Sequence, residues 1–250
     1  MTSLKINNVS KVINDASEQT TILKPTSVEI NDQDFVVVLG TNGAGKSTFF
    51  NLITGDLMPT TGSIYLNEHK LTTQKRERRA KYISQVFQDP KLGTAPRMTV
   101  AENLLLAERR GLSRRLFPRK LKTRIAYFKD IVADLPNDIG LKLNTATEKL
   151  SGGQRQTLSF LMSIIKKPDL LLLDEHTSAL DPQTSNSLMK FADATIKEKK
   201  ITCLMITHDL ETALNYGNRI LIFNNGQIVS DIDKNKQPNL TKDDLLKYFD

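Results

Sequence analysis

Nine residues, Gly40-Thr41-Asn42-Gly43-Ala44-Gly45-Lys46-Ser47-Thr48, restrict this 250-residue chain more than any other stretch. They fit G-x-x-x-x-G-K-[ST], the spacing of a loop that wraps nucleotide phosphates. The flanks suit it. Phe35-Val36-Val37-Val38-Leu39 is an unbroken, largely β-branched apolar run, as in a strand buried on both faces. Phe49, Phe50, Leu52 and Ile53 follow at helical spacing. The expected order is strand, glycine loop, helix, which makes the chain α/β.

The residue types answer to physical needs. Glycines let backbone N–H groups curl around phosphate oxygens at distances a side chain would block. The helix that follows aims its N-terminus at the same anion. Lys46 brings a mobile positive charge to the outer phosphates, and the Ser47 hydroxyl is a ligand for Mg²⁺.

Hydrophobic content of 39% and charged content of 25% are ordinary for a globular protein, and the length allows one large domain with a lobe inserted. No apolar run approaches the ~20 residues of a membrane helix. Met1-Thr2-Ser3-Leu4-Lys5 lacks a signal-peptide pattern, so the expected location is cytoplasmic, with any membrane role coming through a partner. The single cysteine, Cys203, sits in the apolar run Ile201–Ile206 and reads as core packing. Eight basic residues and no acid lie between Arg109 and Arg124, which accounts for more than the whole net charge of +7. The basic character therefore belongs to one segment, and no nucleic-acid partner is expected. Two readings of that segment stay open: a solvated basic loop, or a surface against anionic lipid headgroups.

Along the chain, Leu4, Ile6 and Val9 begin one strand, and Thr26, Val28 and Ile30 alternate in another. Pro59–Gly62 reads as a turn, Ser63–Leu66 as a short strand, Lys75–Lys81 as a charged exposed helix and Tyr82–Phe87 as a strand. Strand signals vanish from Pro90 to about Thr147. Thr99 and Glu102 have capping-box spacing ahead of Val100, Leu104 and Ala107, and a second helix covers Lys120–Leu135. This is the signature of a helical lobe inserted into an α/β core. The core resumes with a helix to Lys166, strands at Leu170–Leu173 and Ile201–Ile206, and a helix over Thr184–Lys199. Asn225-Gly226 marks a hairpin, and Thr241 with Asp244 caps a last short helix.

Leu170-Leu171-Leu172-Leu173-Asp174-Glu175 places two acids at the carboxyl edge of a buried strand, where α/β sheets bind ligands. Asp174 suits the Mg²⁺ hydration shell, and Glu175 suits a base for water attacking a γ-phosphate. Leu150-Ser151-Gly152-Gly153-Gln154 holds a capping box, Ser151 with Gln154, before an apolar stripe of Leu158, Leu161, Met162 and Ile165. Two glycines in a first helical turn each cost up to ~1 kcal/mol relative to alanine. Bare backbone at a helix N-terminus beside a serine hydroxyl is a second anion site.

In order along nearly the whole chain stand GTNGAGKST, Gln88, LSGGQ, LLLLDE, Ser178-Ala179-Leu180-Asp181 and His208. That order resembles the ATP-binding subunit of an ABC (ATP-binding cassette) transporter. The resemblance implies a P-loop NTPase fold of the ABC ATPase type: a largely parallel mixed sheet, an antiparallel β subdomain and an inserted α-helical subdomain. It implies one domain over 1–250, with 1–88 and 167–250 as catalytic core and 89–166 as the helical insert carrying LSGGQ. ATP and Mg²⁺ are the implied ligands. Gln88 would touch Mg²⁺ and the attacking water, His208 the γ-phosphate, and Asp181 the dimer interface. Two chains would pair head to tail on ATP, each Ser151-Gly152-Gly153-Gln154 closing over nucleotide held by the other's loop. The homodimer would sit on the inner face of the membrane through permease subunits, importing a small solute delivered by an extracytoplasmic binding protein.

Two positions depart from the family pattern. His176 stands where proline usually follows the glutamate, as in a DEHT subgroup resembling importer subunits, and reads as a surface substitution, with contact to nucleotide or partner as the alternative. The aromatic that stacks on adenine is missing; Lys11-Val12-Ile13-Asn14 stand there, and Ile13 is the available apolar contact. An exporter subunit, an iron–sulfur assembly ATPase and a nucleotide-dependent switch remain open at this stage.

Overall fold

A computed structural model describes residues 4–15, 18–112, 120–133 and 135–249. Arg114, Arg115 and Arg119 lie outside the described residues, and with them the choice between the two readings of the basic segment.

Strands β1 (Leu4–Asp15) and β2 (Glu18–Ile30) form an antiparallel pair, and β3 (Phe35–Gly40) leads into the glycine loop. Helix α1 (Lys46–Thr54) follows, then β4 (Thr61–Leu66) and the short β5 (His69–Lys70). These strands build a four-stranded antiparallel sheet in the order β2-β1-β4-β5. The expected turn over Pro59–Gly62 is shorter, because β4 already begins at Thr61, which pairs with Ser10 of β1. One turn of helix, α2 (Arg76–Arg79), precedes β6 (Ile83–Val86). The lobe contributes α3 (Val100–Glu108), α4 (Leu121–Val132) and the start of α5 (Gly152–Ile164). The core then returns through β7 (Leu170–Asp174), α6 (Pro182–Glu198), β8 (Cys203–Thr207) and α7 (Leu210–Asn215). The hairpin β9 (Arg219–Asn224) and β10 (Gln227–Asp233) and helix α8 (Lys242–Leu246) complete it.

The second sheet has six strands in the order β10-β9-β3-β8-β7-β6; all pairings are parallel except that of β10 with β9. Strand period 2 divides its side chains between two apolar layers. Phe35, Val37 and Leu39 join Leu171, Leu173 and Met205 on the face covered by α5 and α6. Val36 and Val38 join Leu172, Leu204, Phe49 and Phe50 on the face covered by α1 and the four-stranded sheet. Full burial of such side chains contributes roughly 1.5–3 kcal/mol each. The helical layer also holds Val100, Leu104 and Phe128, so the lobe shares its apolar interior with the sheet.

The capping boxes at Thr99 and Glu102 and at Thr241 and Asp244 form as expected. Cys203 is buried, as its apolar surroundings indicate. The segment Lys75–Lys81 differs. Only Arg76–Arg79 is helical, and Arg79 is fully buried rather than exposed. Its guanidinium donates to the carbonyls of Leu52 at 2.6 Å, Ile53 at 2.8 Å and Gln74 at 2.7 Å. A cation there satisfies the last carbonyls of α1 and opposes the negative end of its dipole. Burial pushes the Arg79 pKa down to about 10. Among the described residues no helix is long and apolar enough to cross a membrane.

Candidate functional site

The glycine loop is held from three sides. Gly40 ends β3 so close to β9 that an added Cβ would meet the Phe223 carbonyl oxygen at 2.6 Å. Gly43 and Gly45 have φ of +80° and +101°, a region open to glycine at little cost. The hairpin tip braces the outer wall: the Gly226 N–H donates to the Ala44 carbonyl at 3.1 Å, and the Lys24 N–H donates to the Gly226 carbonyl at 2.7 Å. Lys46 opens α1 and is buried; its Nζ donates to the carbonyls of Gly40 at 2.6 Å and Thr41 at 2.9 Å. Burial lowers its pKa, against the nearby carboxylates of Glu175 and Asp174. Thr41, Asn42 and Ser47 are exposed beside it. A left-handed loop, a helix N-terminus and one lysine are the donors a nucleotide polyphosphate needs.

Facing the loop is the carboxyl edge of β7. Asp174 is partly buried, and burial, then Glu175, raises its pKa while Lys46 opposes the rise. Glu175 takes φ of +41°, a strained angle for any residue with a Cβ, fixed by its N–H on the Ile206 carbonyl at 3.2 Å. Its carboxylate stands between two other predicted residues. His208 Nδ1 lies 3.2 Å from Glu175 Oε1, and Gln88 Nε2 lies 3.5 Å from Oε2. Gln88 Nε2 also donates to Ser178 Oγ at 3.3 Å. Lys46, Asp174, Glu175, Gln88 and His208 are thus brought together from the start of α1 and the carboxyl ends of β6, β7 and β8. Among the described residues no three His, Cys, Asp or Glu side chains converge on a cation site. The donors that fit Mg²⁺ are the Ser47 hydroxyl, the Gln88 amide and the Asp174 carboxyl with phosphate oxygens, all hard oxygen ligands.

The turn expected to hold a second anion forms the expected capping box: Gln154 N–H donates to Ser151 Oγ, and Ser151 N–H donates to Gln154 Oε1, each at 3.2 Å. Its two glycines have different reasons. A Cβ on Gly153 would meet Thr184 Cγ2 at 2.5 Å, so glycine there lets α5 approach α6. A Cβ on Gly152 would meet only Leu180 Cδ2 at 3.9 Å, so packing does not require glycine. Asp181 caps α6 by accepting from the Thr184 N–H at 3.0 Å, and those hydrogen bonds lower its pKa. Ser151–Gln154 and Asp181 are therefore neighbours, and within one chain no hydrogen bond joins either to Gly40–Thr48 among the described residues.

Three residues emerge only in three dimensions. His176 is 2% exposed, which corrects its reading as a surface substitution: the end of β7 turns it inward, and its Nε2 has no hydrogen-bond partner among the described residues. Burial pulls its pKa down to about 4. Gln156 is equally buried, and its Nε2 donates to the Phe87 carbonyl at 3.0 Å. Its signal in sequence is one amide on the buried face of α5. Asp209 caps α7, accepting from the Glu211 and Thr212 N–H groups; Thr207-His208-Asp209 carried that cap unnoticed beside His208. At the absent aromatic, Ile13 lies on β1 with 43% of its surface exposed.

The ABC transporter family profile matches residues 23–178. The tyrosine transport ATP-binding protein of Clostridioides difficile is 41% identical over 248 residues, spanning 99% of this chain and 98% of that protein. The phosphonates import ATP-binding protein of Lactococcus lactis is 32% identical, over 91% of this chain and 92% of its own length. Among solved structures, a dimeric ATP-binding cassette bound to ADP and phosphate after hydrolysis superposes with a TM-score of 0.77. It is 26% identical and covers 92% of this chain and 98% of that one. On the family profile and these relatives, this chain belongs to the ABC transporter family, as an ATP-binding and ATP-hydrolysing subunit.

Proposed function

We propose that this chain powers an importer for an amino acid, with an aromatic amino acid as the leading cargo. The Clostridioides difficile relative, named for tyrosine transport, supports that choice. One observation carries the catalytic reading: Glu175 stands between His208 and Gln88 at the strand edge facing Lys46. Gly40–Thr48 wrap the phosphates and Lys46 neutralises the outer ones; Ser47, Gln88 and Asp174 would hold Mg²⁺, which would withdraw charge from the phosphates. Glu175 takes the proton of the attacking water, Gln88 orients that water, and His208 reaches the γ-phosphate. Ser151, Gly152, Gly153 and Gln154 of a second copy complete the anion cage, with Asp181 beside them. ATP then favours the closed dimer because only the dimer satisfies all its oxygens.

A groove of about 440 Å³ between β6, α3 and α5 is the docking place for a cytoplasmic segment of the membrane permease. Leu92, 71% exposed, and Phe87, Leu106 and Met162 give it an apolar wall. The arginines that line it are already engaged, Arg76 with the Asp56 carboxylate and Arg79 and Arg110 with backbone carbonyls, so the segment that fits is apolar. Cargo reaches the permease from an extracytoplasmic binding protein.

Glu175→Gln tests the core of this reading. Hydrolysis falls by about 10²–10⁴-fold, the usual weight of a general base. Light scattering with Mg-ATP then shows a stable dimer. A variant that stays monomeric, or hydrolyses at the wild-type rate, overturns it. Unchanged tyrosine uptake on deletion of the chain removes the cargo alone.

A further inference from the structure

Gln156 lies early in α5 with 1% of its surface exposed. Its Nε2 donates to the Phe87 carbonyl at 3.0 Å, and its Oε1 is buried with no hydrogen-bond partner among the described residues. Phe87 immediately precedes Gln88, whose amide reaches Glu175 and Ser178. The helix that begins with Gly152-Gly153-Gln154 thus grips, within its first two turns, the peptide on which Gln88 is mounted. The far end of the same helix is tied to β6, where Ser84 Oγ donates to the Ser163 carbonyl at 2.7 Å.

A half-satisfied buried amide is a poor device for stability alone. An apolar side chain of similar length would remove the orphaned oxygen and leave one carbonyl unpaired in exchange. What the amide supplies, and a hydrocarbon does not, is direction at Phe87. We propose that Gln156 is a positioning residue that sets the backbone under Gln88, and through it the distance from Gln88 to the metal and the attacking water. The proposal rests on the role given to Gln88 above and adds the element that controls it: a tilt of α5 pulls on Phe87 and moves Gln88.

The test compares wild type, Gln156→Met, Gln156→Glu and Gln88→Ala for melting temperature, kcat, ATP KM and the Mg²⁺ concentration for half-maximal rate. Gln156→Met melts near the wild-type temperature and keeps its ATP KM. Its kcat falls about tenfold, the weight of one lost positioning bond. Its Mg²⁺ requirement rises, in the direction shown by Gln88→Ala. Gln156→Glu, nearly the same size, covers the case in which the methionine variant does not fold. Its carboxylate opposes the Phe87 carbonyl, and its protonated form donates the original hydrogen bond. Its kcat relative to wild type therefore climbs as pH falls. Wild-type kcat and Mg²⁺ response in Gln156→Met, or a pH-independent ratio for Gln156→Glu, overturns the proposal. If Gln88→Ala shifts the Mg²⁺ response and Gln156→Met does not, the proposal falls and the role of Gln88 stands. If Gln88→Ala leaves that response unmoved, the role of Gln88 falls first and the proposal with it.

Discussion

At His176 an imidazole is enclosed beside the candidate base, with a pKa near 4 instead of 6.5 because burial disfavours its charged form. Between those two values the unfolded chain binds a proton and the folded chain does not. Stability therefore rises with pH across the window, and is lost as pH falls from 6.5 toward 4; above 6.5 the ring contributes no pH dependence. From pH 7 to pH 5, wild type loses roughly 2 kcal/mol more stability than His176→Gln. Urea unfolding in the presence of a chelator and without nucleotide reads the difference directly, and parallel pH curves would refute it. Lys46 and Glu175 were legible because chemistry fixes their type and spacing, and His208 was legible only through its place in the order of the family motifs. His176 and Gln156 were not, because a polar side chain's burial depends on which strands and helices close over it. Of the two glycines in LSGGQ, the anion-site reasoning keeps Gly152, while Gly153 answers to Thr184 across a helix contact.

Elements show a similar division. Asn225-Gly226 announces a two-residue hairpin, and both residues take positive φ, +47° and +73°, as such a turn requires. Sequence does not say what the tip touches. In the fold it lies against β2 and the glycine loop, so a turn far along the chain fixes the wall of the phosphate cradle. A Cβ at Gly226 would meet the Ile22 carbonyl oxygen at 2.6 Å. Gly226→Ala therefore displaces the tip, lowers stability by about 1–3 kcal/mol and raises the ATP KM more than it lowers kcat. Isothermal titration of the nucleotide together with steady-state kinetics measures both; an unaltered affinity would show that the tip is not a brace. Helix α2 fell short of its predicted length for an equally nonlocal reason. Arg79 is drawn inward by the open carbonyls at the end of α1, and that demand is invisible in a run of charged residues.

For the whole molecule, α1, α5 and the groove proposed for docking meet at two arginines. In the proposed function the N-terminus of α1 faces one phosphate site and the N-terminus of α5 the other. Arg79 holds the carbonyls at the end of α1, and Arg110 holds those of Ser163 and Lys166 at the end of α5, donating at 2.8 and 2.5 Å. Both arginines line the same groove, so whatever docks there rests on the rear ends of both helices at once. A relative shift of lobe and core on ATP binding must then change the groove's shape, and a seated segment must resist or follow it. Leu92 is the outermost apolar side chain of that groove, and its exposure makes it replaceable without harm to the fold. Leu92→Ser leaves the melting temperature and the ATP affinity of the isolated subunit at their wild-type values. Removing one apolar anchor from an interface costs about 1–2 kcal/mol, so the permease complex binds the variant about tenfold more weakly. The rate enhancement that the permease confers then needs correspondingly more subunit. Titrating the variant into permease-containing proteoliposomes and following phosphate release gives both quantities, and a wild-type titration curve would place the docking surface elsewhere.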